Sequence, residues 1–86
     1  MIYNYRQHAI KRMYERGITQ ADVEAALSTG MVIEDYPNDY PLPSCLWLSY
    51  IGNRPVHIVF AEDKPKGERI IITVYEPAPT PWSADF

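Results

Sequence analysis

A chain of 86 residues, 47% hydrophobic and 22% charged, suffices for one globular domain with a thin core and excludes a disordered or multidomain protein. A net charge of −3 excludes an indiscriminate nucleic-acid coat, and the single cysteine, Cys45, excludes an internal disulfide and any CxxC zinc site. No charged leader precedes an apolar segment, and no apolar run nears the roughly 20 residues that span a bilayer, so a soluble cytoplasmic protein without membrane contact is expected.

Taken in chain order, Asn4 and Gln7 have the spacing of a capping box, which predicts a first helix over about residues 5–16. Ile10, Met13 and Tyr14 then form its apolar face, and Gly17 is its left-handed stop. Thr19 and Asp22 repeat the capping signal for a second helix over about 20–29, with Val23, Ala26 and Leu27 as its apolar stripe and Gly30 at its close. The period then changes. "MVIEDY" is a short strand, and "PNDYPLPS" carries too many prolines to be anything but a connection. "CLWLSYI" and "RPVHIVFA" flank Gly52-Asn53, a two-residue hairpin turn, and "RIIITVY" has the strongest β-forming composition in the chain. Three prolines after Glu76 make residues 76–86 an extended tail, with Trp82 and Phe86 apolar enough to anchor it. The order α-α-β-β-β-β predicts a single α+β domain over 1–86. Its two N-terminal helices would cover one face of a four-stranded antiparallel sheet spanning about 31–75.

Charge is unevenly spread. Arg6, Lys11, Arg12 and Arg16 face only Glu15 in the first 16 residues, whereas residues 17–50 hold Asp22, Glu24, Glu34, Asp35 and Asp39 with no Lys or Arg. On a helix, His8, Arg12, Glu15 and Arg16 share one face. That ladder is either a solvated face carrying an Arg12–Glu15 pair or an anion cradle with a titratable imidazole at its mouth. His57 lies within an apolar strand, where a hydrogen-bonded sheet residue and a catalyst are both open readings. In the last strand, alternation places Ile71, Thr73 and Tyr75 on one face, and an imidazole and a phenol come together if that face is also His57's. Arg54 and Arg69 flank strand beginnings, as edge-protecting charges do. Metal-free RNA cleavage needs a base, an acid and cations around the phosphorane, and two His, a Tyr and several Arg supply those types. No phosphate-binding glycine loop, HExxH or G-x-S-x-G motif is present, and no cofactor or metal is expected.

The runs "HAIKRMYERGIT", "DVEAAL", "VIEDYPND", "RPVHIVFA" and "IITVYEPAP" together resemble a bacterial family known as a domain of unknown function and grouped with the RelE/ParE-like toxins of the barnase–EndoU–colicin–RelE fold. The resemblance covers nearly the whole chain. It implies the RelE-like arrangement of two helices on a four-stranded antiparallel sheet, and a metal-independent ribonuclease toxin of a type II toxin–antitoxin system. Its implied partners are RNA, free or ribosome-bound, and a cognate antitoxin, with a homodimer also allowed. Mapped onto the motifs, it places His8, His57 and Tyr75 as catalytic candidates and Arg12, Arg16 and Arg54 as phosphate- or RNA-binding candidates. Toxins of this kind are typically basic, and this chain, with pI ≈ 5.2, is not. A non-catalytic interaction module is therefore the competing reading, with Trp47, Trp82 and Phe86 as candidate partner-facing residues.

Overall fold

The computed structural model describes residues 1–77 and departs from the expected sheet at its first element. Ile2–Tyr5 is not the lead-in to a helix but a strand, β1, followed by α1 (Gln7–Arg16), α2 (Gln20–Ala26), β2 (Met31–Tyr36), β3 (Ser44–Ile51), β4 (Arg54–Asp63) and β5 (Glu68–Tyr75). The sheet is five-stranded and mixed, in the order β1-β5-β4-β3-β2, rather than four-stranded and antiparallel. β2 to β5 form an antiparallel meander and β1 joins β5 in parallel, so the α+β class holds while the RelE-like sheet does not. The cause lies in four residues. Tyr3 and Tyr5 alternate with Ile2 and Asn4, so both rings pack against the core while the backbone pairs with β5 from Ile2↔Glu68 to Tyr5↔Ile71. Asn4 thus lies in a strand, and α1 starts from Arg6 with no side-chain cap.

The second capping box does form. Thr19 Oγ1 accepts from the Asp22 N–H at 3.0 Å while the Asp22 carboxylate accepts from the Thr19 N–H at 2.9 Å. Gly17 ends α1 at φ 67°, where Gly lacks the Cβ that makes this region costly, and Gly52 makes the β3–β4 turn at φ 64°. The buried stripe of α1 is Ala9 and Met13, four residues apart, whereas Ile10 is 47% and Tyr14 88% exposed. The small Ala9 lets α1 lie close over β5, so of the expected apolar face Met13 enters the core while Ile10 and Tyr14 turn out of it. α2 is tied to β1 by the Tyr5 hydroxyl, which donates to Glu24 at 2.8 Å. Burial, reinforced by that carboxylate, holds the Tyr5 phenol well above its usual range.

Pairing registers sort the sheet into rows. On the helix side run Val32–Trp47–Ile58–Val74, then Asp35–Cys45–Phe60–Ile71–Tyr5, then Glu62–Arg69–Tyr3. On the opposite side run Met31–Leu48–His57–Tyr75, then Glu34–Leu46–Val59–Thr73, then Tyr36–Ser44–Ala61–Ile70–Asn4. The core lies on the helix side, where Val23, Val56, Ile58, Ile71 and Val74 are almost wholly buried. Each such side chain contributes about 1.5–3 kcal/mol of transfer free energy. Irregularities at Ile33 and Ile72 put one unpaired residue into β2 and β5, so Ile71 faces the core while Thr73 and Tyr75 face away from it. The three do not share a face. Among the described residues no helix is long and apolar enough to cross a membrane.

Candidate functional site

His57 and Tyr75 are direct cross-strand partners on the sheet side away from the helices. The His57 Nδ1 and Tyr75 Oη atoms lie 3.1 Å apart, with the tautomer of the imidazole deciding which donates, and the rings meet edge-on at 5.2 Å between centroids. His57 is only 8% exposed, whereas Tyr75 reaches solvent at the strand end. Leu48, Leu46 and Val59 surround the pair within the same two rows. A further polar couple stands on this side, the Tyr36 hydroxyl donating to Glu34 at 2.9 Å. That hydrogen bond to a carboxylate raises the affinity of the Tyr36 phenol for its proton. The paired rows on this side contain no Lys or Arg.

The predicted cations lie elsewhere. Arg54 shares the helix side with Val56, and its Nη2 donates to the Arg16 backbone carbonyl at 2.9 Å and to the Glu76 carboxylate at 2.6 Å. The arginine therefore clasps the last turn of α1 to the end of β5. Its hydrogen bond and charge hold the Glu76 carboxyl below the usual range. Arg12 pairs with Glu15 at 3.7 Å on an exposed helical face, and His8 and Arg16 are exposed on the same helix. Since α1 covers the core side, His8 and His57 are separated by the sheet itself. The structure thus joins His57 to Tyr75 and Arg54 to the end of Arg16, and places His8 and Arg12 with neither pair.

Glu76 is the functional neighbour that the sequence reading missed. It stands in the "YEP" that follows Tyr75 and pairs with the Arg of "RPVH", so the two motifs are the two halves of one cross-strand junction. A second feature was also not foreseen. A cavity of about 690 Å³ opens on the helix side of the sheet, and no residue of either helix lines it. Trp47, Phe60 and Cys45 form part of its lining, with the connection before β3 and the β4–β5 turn as further walls. Trp47, expected as a partner-facing ring, is half-buried here: its Nε1 donates to the Ala26 carbonyl at 3.1 Å and its ring meets Phe60 edge-on. Arg69 stacks over Phe60 at 5.2 Å and lies 3.5 Å from Glu62, with its buried Nε lacking a hydrogen-bond acceptor among the described residues. Burial, with Asp35 and Glu62 nearby, pushes the Cys45 thiol up. Trp82 and Phe86 lie outside the described residues.

Among the described residues no three of His, Cys, Asp and Glu gather as metal ligands. No curated protein and no solved structure matches the chain. Over residues 5–76, which take in both motif pairs and run from the last residue of β1 past the end of β5, the sequence matches the family described as a domain of unknown function (DUF4258), and the chain belongs to that family.

Proposed function

We propose that this chain is a protein-interaction domain that binds its partner at the β2 margin of the sheet. The observation that carries this reading is the exposure of three consecutive apolar residues, Met31 at 60%, Val32 at 49% and Ile33 at 40%, on an edge strand of the sheet. Apolar side chains left exposed along an unpaired sheet edge are characteristic of interaction sites. Charge supports the same reading. A phosphorane needs cations at the reacting centre, and the rows around His57 and Tyr75 offer Glu34 but no Lys or Arg.

The hydrogen-bonded His57–Tyr75 couple favours a second reading, a toxin-like ribonuclease that uses imidazole and phenol as acid and base. In it basic proteins of the ribosome that presents the RNA bring the charge neutralisation, and an antitoxin protein covers the site.

One assay separates the two. Purified protein is incubated with total RNA, with and without ribosomes, in EDTA, as wild type and as His57→Ala checked for folding by circular dichroism. Intact RNA throughout is the expected outcome. Cleavage by wild type that is lost in a folded His57→Ala variant establishes the nuclease instead.

A further inference from the structure

We infer that β2 and the neighbouring cavity form one docking site for a cationic extended segment of a partner protein, which adds to the sheet as a sixth strand. The inference rests on the interaction-domain reading and names the partner's chemistry. Among the described residues β2 is one of the two outer strands, the other being β1, and every residue of it from Met31 to Asp35 is exposed. Its outward N–H and C=O groups are the template that an added strand uses, and side chains at alternate positions then supply specificity.

The irregularity at Ile33 gives the edge its selectivity. In a regular strand, Val32 and Asp35 would point to opposite faces. With one residue unpaired between Val32 and Glu34, both lie on the helix side, and both line the cavity. Glu34 meanwhile faces the other side of the same strand, so each face presents one carboxylate to an added neighbour. Residues 17–50 contain no Lys or Arg to neutralise them. Two acidic side chains on one edge discourage a second copy of β2 from pairing there, and the same charges attract a basic segment.

The cavity suits a long basic side chain. Its apolar wall, Val32, Trp47 and Leu42, covers the methylene stem, while Asp35 and Asp63 stand within its lining to meet the charge. Asp35, Glu62 and Asp63 outnumber the two cations of the lining, Lys64 and Arg69, and Arg69 is already turned against Phe60 and faces Glu62.

The probe is a fluorescein-labelled eight-residue peptide alternating lysine and valine, titrated against the full chain by fluorescence anisotropy. A control peptide carries glutamate in place of lysine. Amide hydrogen exchange is followed by NMR in the free and saturated protein. Saturable binding of the lysine peptide is expected, at least tenfold tighter than that of the glutamate peptide. Asp35→Lys should weaken it at least tenfold while leaving the circular dichroism spectrum unchanged, and the amides of β2 should exchange more slowly when the peptide is bound. Absence of binding overturns the inference, as does binding that ignores Asp35→Lys or protects amides away from β2. A free protein that is already dimeric with β2 protected would assign the edge to a second copy instead. RNA cleavage in the preceding assay would end the interaction-domain reading whatever the peptide does. Failed peptide binding with intact RNA ends only the β2 site.

Discussion

At the scale of single residues, the hydroxyl of Tyr75 is the most informative atom. It satisfies Nδ1 of a histidine that is nearly buried in an apolar stretch of sheet. Removing it leaves a buried polar nitrogen without that partner, so Tyr75→Phe should cost about 1 kcal/mol, read as a lower urea midpoint at unchanged slope. An unchanged midpoint would show that the bond contributes no stability and would free the pair for a purely chemical role. Both residues were visible in the sequence as members of strands, but their meeting was not. It depends on Ile72 being left unpaired: in an unbroken register Val74, not Tyr75, would stand opposite His57. No local pattern marks Ile72, since "RIIITVY" reads as continuous strand throughout.

At the scale of elements, the residues with a strong local signal folded as that signal dictates. Thr19 and Asp22 cap α2, Gly17 ends α1, and Gly52 turns β3 into β4. The failures came where tertiary packing outweighed a weak local preference. Asn4 and Gln7 mimic a capping box, yet two alternating tyrosines beside an unpaired β5 edge draw the segment into the sheet. In α1 the helical period was right and Met13 is buried as expected, but the centre of the face lies toward Ala9, too small to mark it, so Ile10 and Tyr14 stand outside the core. Gly30 shows how tightly α2 is joined to the sheet. A Cβ built there would collide with the Leu48 carbonyl and the Trp47 indole nitrogen, the latter already committed to the Ala26 carbonyl. Gly30→Ala should therefore destabilise by about 1–3 kcal/mol through overpacking, measured by urea unfolding. A neutral result would mean that β3 can shift away from α2.

At the scale of the whole molecule, the polar clasp of Arg54, Arg16 and Glu76 connects the end of α1, the start of β4 and the end of β5. Its carboxyl has a lowered pKa in the folded state, so its contribution is complete above the ordinary Glu value of about 4.3 and is lost as pH falls through the lower folded value. Wild-type protein should lose more thermal stability than Glu76→Gln between about pH 5 and about pH 3, as followed by melting temperature. Parallel acid profiles for the two proteins would show that the clasp does not operate in solution.

The pairing of β1 with β5 has a consequence for how the chain is made. Asn4 and its neighbour Glu68 are 64 residues apart. During synthesis the first strand emerges long before β5, with which it pairs, and its two tyrosines have no sheet to lie against. The helices can form locally in that interval, but the sheet closes only after β5 has cleared the ribosome exit. Completion of the fold is thus a late, long-loop event, slower than the neighbour-to-neighbour hairpins of the meander. Until then the nascent meander exposes the β5-facing edge of β4 in addition to β2, and aggregation of the protein during translation should be most sensitive to changes that delay β5.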